Sequence, residues 1–244
     1  MIKLIGATLV SSSLLLANPA LAREVTVEIT NLTNGIYFTP LLVAAHHRNQ
    51  HLFELGESAS PELQAMAEGG NIAGLIAEVS SAGGDYVADP AEGLLAPGMS
   101  TTAELDVSGK RGLSVAAMLL PTNDGFVGLD NIKIPIKSGT YTFFLRGYDA
   151  GTEANDEIVN GGGAPGIPGI PADPGGHAGT GGTGVAGDDD NANVHIHRGN
   201  VGDQDPTGGA SDLDSGAHRW ANPVARVVIT VTHDGRYGRY GRHH

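Results

Sequence analysis

Two segments near opposite ends of the chain, each with a wholly apolar set of alternate positions, constrain its fold more than any other feature. From Glu24 to Thr30, Val25, Val27 and Ile29 occupy one set of positions and Glu24, Thr26, Glu28 and Thr30 the other. From Val224 to Thr232, Ala225, Val227, Ile229 and Val231 oppose Val224, Arg226, Val228, Thr230 and Thr232. Side chains repeat every second residue only on an extended backbone, so both segments read as strands with one apolar face. Further β-rich runs lie at Thr101 to Val107, Leu113 to Leu120 and Thr140 to Tyr148, with shorter ones at Leu41 to Ala45 and Phe126 to Leu129. Such strands, separated by Gly, Asn and Asp turn signals, indicate an all-β, antiparallel two-sheet sandwich.

Helix is expected in one region only. Ser60-Pro61-Glu62 combines a capping residue, proline at the first helical position and an early acid, so a short helix should run to about Glu68 and stop at Gly69-Gly70. A second should span Ile72 to Val79. Leu63, Met66 and Ala67, then Ile72, Leu75, Ile76 and Val79, recur at three-to-four-residue spacing and read as core contacts.

The first 22 residues have the three parts of a secretory signal peptide: a basic start at Met1 to Lys3, an apolar stretch from Leu4 to Leu16, and a small-x-small site at Ala20-Leu21-Ala22. The apolar run is shorter than the roughly 20 residues a spanning helix needs and is broken by Ser11, Ser12 and Ser13. The expected product is soluble, begins near Arg23, is secreted or periplasmic, and has no membrane span. The chain has no cysteine, so its loops must be held by hydrogen bonds, packing or bound ions rather than disulfides. A net charge of -13 argues against nucleic acid as a partner and suits divalent cations.

Residues 160–187 are mainly glycine, proline and small side chains, including Pro165-Gly-Ile-Pro168-Gly-Ile-Pro171. By composition this is a flexible insertion within a single β-sandwich domain over 23–234, because an apolar strand still follows it. The Gly-Arg-Tyr repeats at 235–244 read as a disordered tail.

Acidic turns carry the chemistry. Asp149-Ala-Gly-Thr-Glu153-Ala-Asn155-Asp156-Glu157 places four carboxylates in one turn after a strand, and Asn123-Asp124-Gly125 forms another between two strands. Ca²⁺ takes about six to eight oxygens at flexible distances, and a loop can fold carboxylate and carbonyl oxygens around one centre. Each turn also reads as a solvated acidic loop or an ordinary tight turn.

Asn31-Leu-Thr33-Asn34-Gly35, Phe38-Thr-Pro40, Thr122-Asn-Asp124-Gly-Phe126-Val-Gly128 and Asp149-Ala-Gly-Thr-Glu153 occur in the order seen in the spondin N-terminal domain family, and the chain resembles its bacterial single-domain members from about Val25 to Thr232, apart from the glycine-rich segment. The resemblance implies a C2-like β-sandwich with calcium held by acidic loops, and a binding or cell-adhesion role like that of the animal matrix proteins. It assigns ligand positions to Asp124 and Asp149, and to Glu153 where the animal forms usually have aspartate. This chain lacks the cysteines and thrombospondin repeats of those forms. Asp156 is a further candidate from the same turn.

A third acidic loop, Asp203 to Asp214, puts oxygen-bearing residues at positions one, three, five, nine and twelve and glycine at six of an EF-hand-like spacing. Thr207 at position five, Asp214 in place of glutamate and the absence of amphipathic flanks weaken the match. Asp203, Asp205 and Asp214 remain candidates for a lone calcium loop, against a turn capped by its own side chains. His195 and His197 share a face if extended, and with His46 they form the alternative, a periplasmic copper or zinc protein. The chain shows no Gly-x-Ser-x-Gly elbow, His-Glu-x-x-His helix or phosphate loop, so an enzyme is not expected. A hydrolase assembled around Ser114 or Ser211 is the third reading. The expected function is that of an exported calcium-binding module with an extracellular protein or glycan partner.

Overall fold

Every residue from Gly112 to Leu120 is buried, and this decides how the layers stack. A strand facing a core on one side alternates; one covered on both faces reads as a continuous apolar run. The computed structural model describes residues 23–185 and 191–233. The expected signal peptide, the end of the glycine-rich segment at 186–187 and the tail lie outside the described residues. The elements are β1 (Arg23–Asn31), β2 (Tyr37–Phe38), β3 (Leu42–His46), α1 (Pro61–Gly69), α2 (Ala73–Ser81), β4 (Asp85–Ala88), β5 (Ser100–Asp106), β6 (Gly112–Leu120), β7 (Gly125–Lys133), β8 (Gly139–Asp149), β9 (His195–Ile196) and β10 (Ala225–His233).

The strands follow the order β4-β3-β6-β7-β8-β10-β1-β5, with β2 added to β6 and β9 to β8, and all pairings are antiparallel. Strand β8 serves two layers: its first part, from Gly139 to Leu145, pairs with β10, and its last, from Arg146 to Asp149, pairs with β7. The far edges, β4 and β5, approach each other where the Asp106 amide donates to Asp85 Oδ2 at 3.2 Å, so the sandwich is nearly closed. The alternating face of β1 and β10, with Val25, Val27, Ile29, Val227, Ile229 and Val231, meets Val43, Val115, Ala117 and Leu119 of the opposite layer. The other face of β3 and β6 carries Leu42, Ala116, Met118 and Leu120 and is covered by Leu63, Met66, Leu75 and Val79 of the helices.

All the expected strands and both helices are present, in an all-β fold with two short helices. The two-residue strands β2 and β9 and the half-exposed β4 carry too few apolar residues to announce themselves. Helix α1 starts as its sequence implies, with Ser60 Oγ accepting from the Leu63 amide at 3.1 Å, and it ends at Gly70 in the left-handed conformation. Ser60→Ala should lower stability by about 1 kcal/mol, measured as a shift in denaturation midpoint.

The glycine-rich segment differs from the flexible insertion its composition implies. Ile170 is fully buried, and its amide donates to Ile158 O at 2.9 Å. The Gly166, Gly169 and Gly182 amides donate to the carboxylates of Glu68, Glu153 and Asp212. Composition underestimates such a segment because its bonds come from backbone amides, which every glycine carries.

Candidate functional site: an acidic loop cluster at one end of the sandwich

Antiparallel register brings the acidic turns together. Gly125, at the start of β7, faces Asp149, at the end of β8, and Asp149 faces His195 on β9. The Thr122 hydroxyl closes the first turn, donating to Leu119 O at 2.6 Å and accepting from the Gly125 amide at 3.0 Å. A Cβ on Gly125 would meet that hydroxyl at 2.7 Å, so only glycine fits beside Asp124. In the second turn Asp149 Oδ1 accepts from the Gly151 amide at 2.8 Å, and Gly151 has φ 71. A side chain there would meet Ala192 and Asn193 backbone within 3 Å. The Asp-Ala-Gly-Thr motif is thus a backbone requirement as well as a source of carboxylate.

The turns interlock. Asp124 Oδ2 accepts from the amides of Thr152 at 2.8 Å and Glu153 at 3.2 Å. Asp149 Oδ2 accepts from Asn155 Nδ2 at 2.7 Å and lies 3.7 Å from His195 Nε2. Glu153 Oε2 accepts from the Gly169 amide at 3.0 Å. Asp156 Oδ1 accepts from Asn123 Nδ2 at 2.9 Å, and Asn123 Oδ1 receives the Glu157 amide at 3.2 Å. Asp124, Asp149 and Glu153 are buried, at 0%, 1% and 8% exposure. Two of their oxygens, Asp124 Oδ1 and Glu153 Oε1, are buried with no hydrogen-bond partner.

Burial, followed by the neighbouring charge of Asp149, pushes the Asp124 carboxyl up to about 7 against the pull of the Thr152 and Glu153 amides. Burial likewise pushes Glu153 up to about 7; the Gly169 amide opposes this, and the charge of Glu68 adds to it. The cluster concentrates negative charge away from water, where an uncompensated carboxylate is costly. Among the described residues no three His, Asp or Glu side chains converge into a ready-made metal cage. Calcium sites also draw on carbonyl, amide and water oxygens.

The third loop adjoins this cluster through Glu157, whose carboxylate accepts from the Val201 amide at 2.6 Å, the Gly202 amide at 2.8 Å and Ser211 Oγ at 2.6 Å. Glu157 and Asn123 hold the loops together, yet in sequence they looked like one more acid and a plain turn residue. Asp203 and Asp214 form a bridge, and with Asp205 they line a cavity of about 120 Å³. Their carboxylates are satisfied locally: Asp203 by the Asp205, Ala210 and Ser211 amides, Asp205 by Thr207, and Asp214 by the Gly216 and Ala217 amides. The left-handed glycine is Gly209, at φ 81, one residue past the sixth position that an EF-hand turn requires. The self-capped turn describes this loop better than the EF-hand spacing does.

The three histidines do not share a site. His46 pairs with Gly112 at the end of the sheet marked by Lys133, whereas His195 sits beside Asp149 at the Gly125 end. Strand β7 has nine residues, so those ends lie roughly 26 Å apart at about 3.3 Å per residue. His197 packs against Trp220, ring centroids 4.9 Å apart, and its Nδ1 accepts from the Gly199 amide at 2.9 Å. His46 Nε2 lies 2.8 Å from Ser114 Oγ, an arrangement resembling a nucleophile and its base. Both are sealed, at 1% and 0% exposure, and Ser114 Oγ also accepts the Asn131 amide at 2.8 Å. The serine knits the shift in register between Leu113 and Val115. Ser211, the other serine considered, is bound to Glu157.

Fold and site together define a β-sandwich whose loops gather buried carboxylates at one end. A family model, Spondin_N, matches residues 30–158, more than half of the 244-residue chain, and the chain belongs to that family. The match closes just after the Asp149–Glu157 turn. The glycine-rich segment, the 203–214 loop and β10 fall beyond it. No curated protein matched the chain.

Proposed function

We propose that this chain is an exported, calcium-binding spondin-type module that binds an extracellular or periplasmic protein or glycan through its acidic loop end. The observation that carries the calcium reading is the pair of buried carboxylate oxygens without partners, Asp124 Oδ1 and Glu153 Oε1, beside Asp149. Buried polar atoms in proteins are almost always bonded, and a hard cation is a partner that would neutralise carboxylates so placed. Asp124, Asp149 and Glu153 would hold it, with Asp156 and the Asn123 amide group alongside. Its effect is to fix the relative position of loops that no disulfide ties. Family membership supports an adhesion-type module, and among the described residues no helix is long and apolar enough to cross a membrane.

Calorimetric titration of the chelator-washed protein should detect saturable calcium binding, and Asp124→Asn should weaken it at least tenfold. Zinc and copper, titrated in parallel, should bind more weakly than calcium. Absence of calcium binding, or tight zinc or copper binding lost in His195→Ala, would overturn the proposal.

A further inference from the structure

Glu68, in the last turn of helix α1, is fully buried and far in sequence from the acidic turns, and both its oxygens are used: Oε1 accepts from Gln64 Nε2 at 2.8 Å and Oε2 from the Gly166 amide at 2.6 Å. Three residues on, the Gly169 amide donates to Glu153 Oε2 at 3.0 Å. The Gly-Ile-Pro repeat explains this spacing. Gly166 and Gly169 have φ 77 and 115, conformations that side chains rarely adopt, and each presents its amide to a carboxylate. Proline between them has no amide to leave unpaired.

The segment is pinned on either side of these bonds. A Cβ on Gly69, at the end of α1, would lie 2.1 Å from Gly163 O, and one on Gly162 would lie within 3.1 Å of the Ile167, Pro168 and Gly169 carbonyl oxygens. Ile170 forms a bridge with Val159 and is fully buried. The Gly169 bond also decides which Glu153 oxygen is committed to protein and which, Oε1, is left over.

We infer that Glu68 is a positioning residue for the cation site: by holding Gly166 it sets Gly169, which orients Glu153, so that docking of the 160–185 segment and calcium binding favour each other. This rests on the calcium reading above. Removing groups that orient a metal ligand typically lowers affinity by about 10- to 100-fold, and the coupling is reciprocal, so calcium must in turn hold the segment in place.

The test uses the full mature chain, with calcium affinity from calorimetry and amide hydrogen exchange with and without calcium. In the wild type, calcium should slow exchange at Gly166, Gly169 and Ile170. Glu68→Ala should weaken calcium binding about tenfold and abolish that slowing. Glu68→Gln, which keeps an acceptor for the Gly166 amide, should retain most of the affinity. If Glu68→Ala only lowers the melting temperature and binds calcium as well as the wild type, Glu68 is structural and the inference fails. If that variant does not fold, the wild-type exchange decides: equal rates with and without calcium overturn the inference. Failure of the wild type to bind calcium removes the calcium reading itself, a result distinct from either.

Discussion

Freed of divalent cations, the protein should be less stable at pH 8 than at pH 5.5, and calcium should remove most of that loss. Asp124 and Glu153 each rise to about 7 in the folded state from ordinary values of 3.8 and 4.5. The folded state therefore binds their protons more tightly than the unfolded chain does. The resulting stability is fully present below the unfolded values and disappears as pH rises through about 7. At 1.36 kcal/mol per unit the part lost between pH 5.5 and 8 is on the order of a few kcal/mol.

Bound calcium would take the place of the protons, so its stabilising effect should be larger at pH 8. At roughly a hundred times its dissociation constant it should contribute about 2.7 kcal/mol. Buried His218 acts in the opposite sense: burial, followed by smaller influences that include His177, lowers its pKa against the pull of Asp173, so its contribution is lost as pH falls through that lowered value. The Asp124→Asn variant separates the two, because it should flatten the high-pH loss and leave the His218 contribution in place. Asp149→Ala should abolish most of the calcium shift. The measurement is the melting temperature across pH 5.5 to 8, with chelator or calcium. A chelated pH profile that Asp124→Asn leaves unchanged would contradict the burial of that carboxyl.

Deleting Gly161 to Gly182 should destabilise the protein by more than about 5 kcal/mol, enough to leave many variants unfolded. The deletion strips amide donors from Glu68, Glu153 and Asp212, and it exposes the surface that Ile170 covers. Each buried acceptor left unsatisfied costs about 1 to 3 kcal/mol, and more if charged, while burying an isoleucine contributes about 1.5 to 3. Whole domains have only about 5 to 15 kcal/mol in hand. Shortening the loop returns some entropy, but that gain grows only slowly with length. Chemical denaturation of the deletion variant gives the answer, and an unchanged midpoint would mean that these bonds contribute little.

Much of the candidate loop cluster was legible because motif and geometry coincide. Gly125 and Gly151 are demanded by turns that leave no room for a side chain, so the carboxylates beside them, Asp124 and Asp149, stand out in sequence. Glu68 did not stand out, because one acid at the end of an amphipathic helix reads as solvated, and only packing reveals that it is fully buried. The histidines misled for the converse reason. Three ligand-type residues are a site only if the sheet brings them together, and the register puts His46 and His195 at opposite ends.

Local pattern by itself determined the strands with an apolar pattern, the two helices and their apolar faces, because alternation, capping and glycine requirements act over a few residues; the short β2, β4 and β9 escaped it. It also determined that loops without cysteine must be tied by other means. Tertiary structure alone decided that β6 is buried on both faces, that β8 passes between layers, and that a glycine-rich segment is docked by three carboxylates. It also decided which oxygens of the acidic loops are left without a partner. Those outcomes depend on contacts between residues as much as a hundred positions apart, such as Glu68 and Gly166, and no periodicity in one segment records what another places against it.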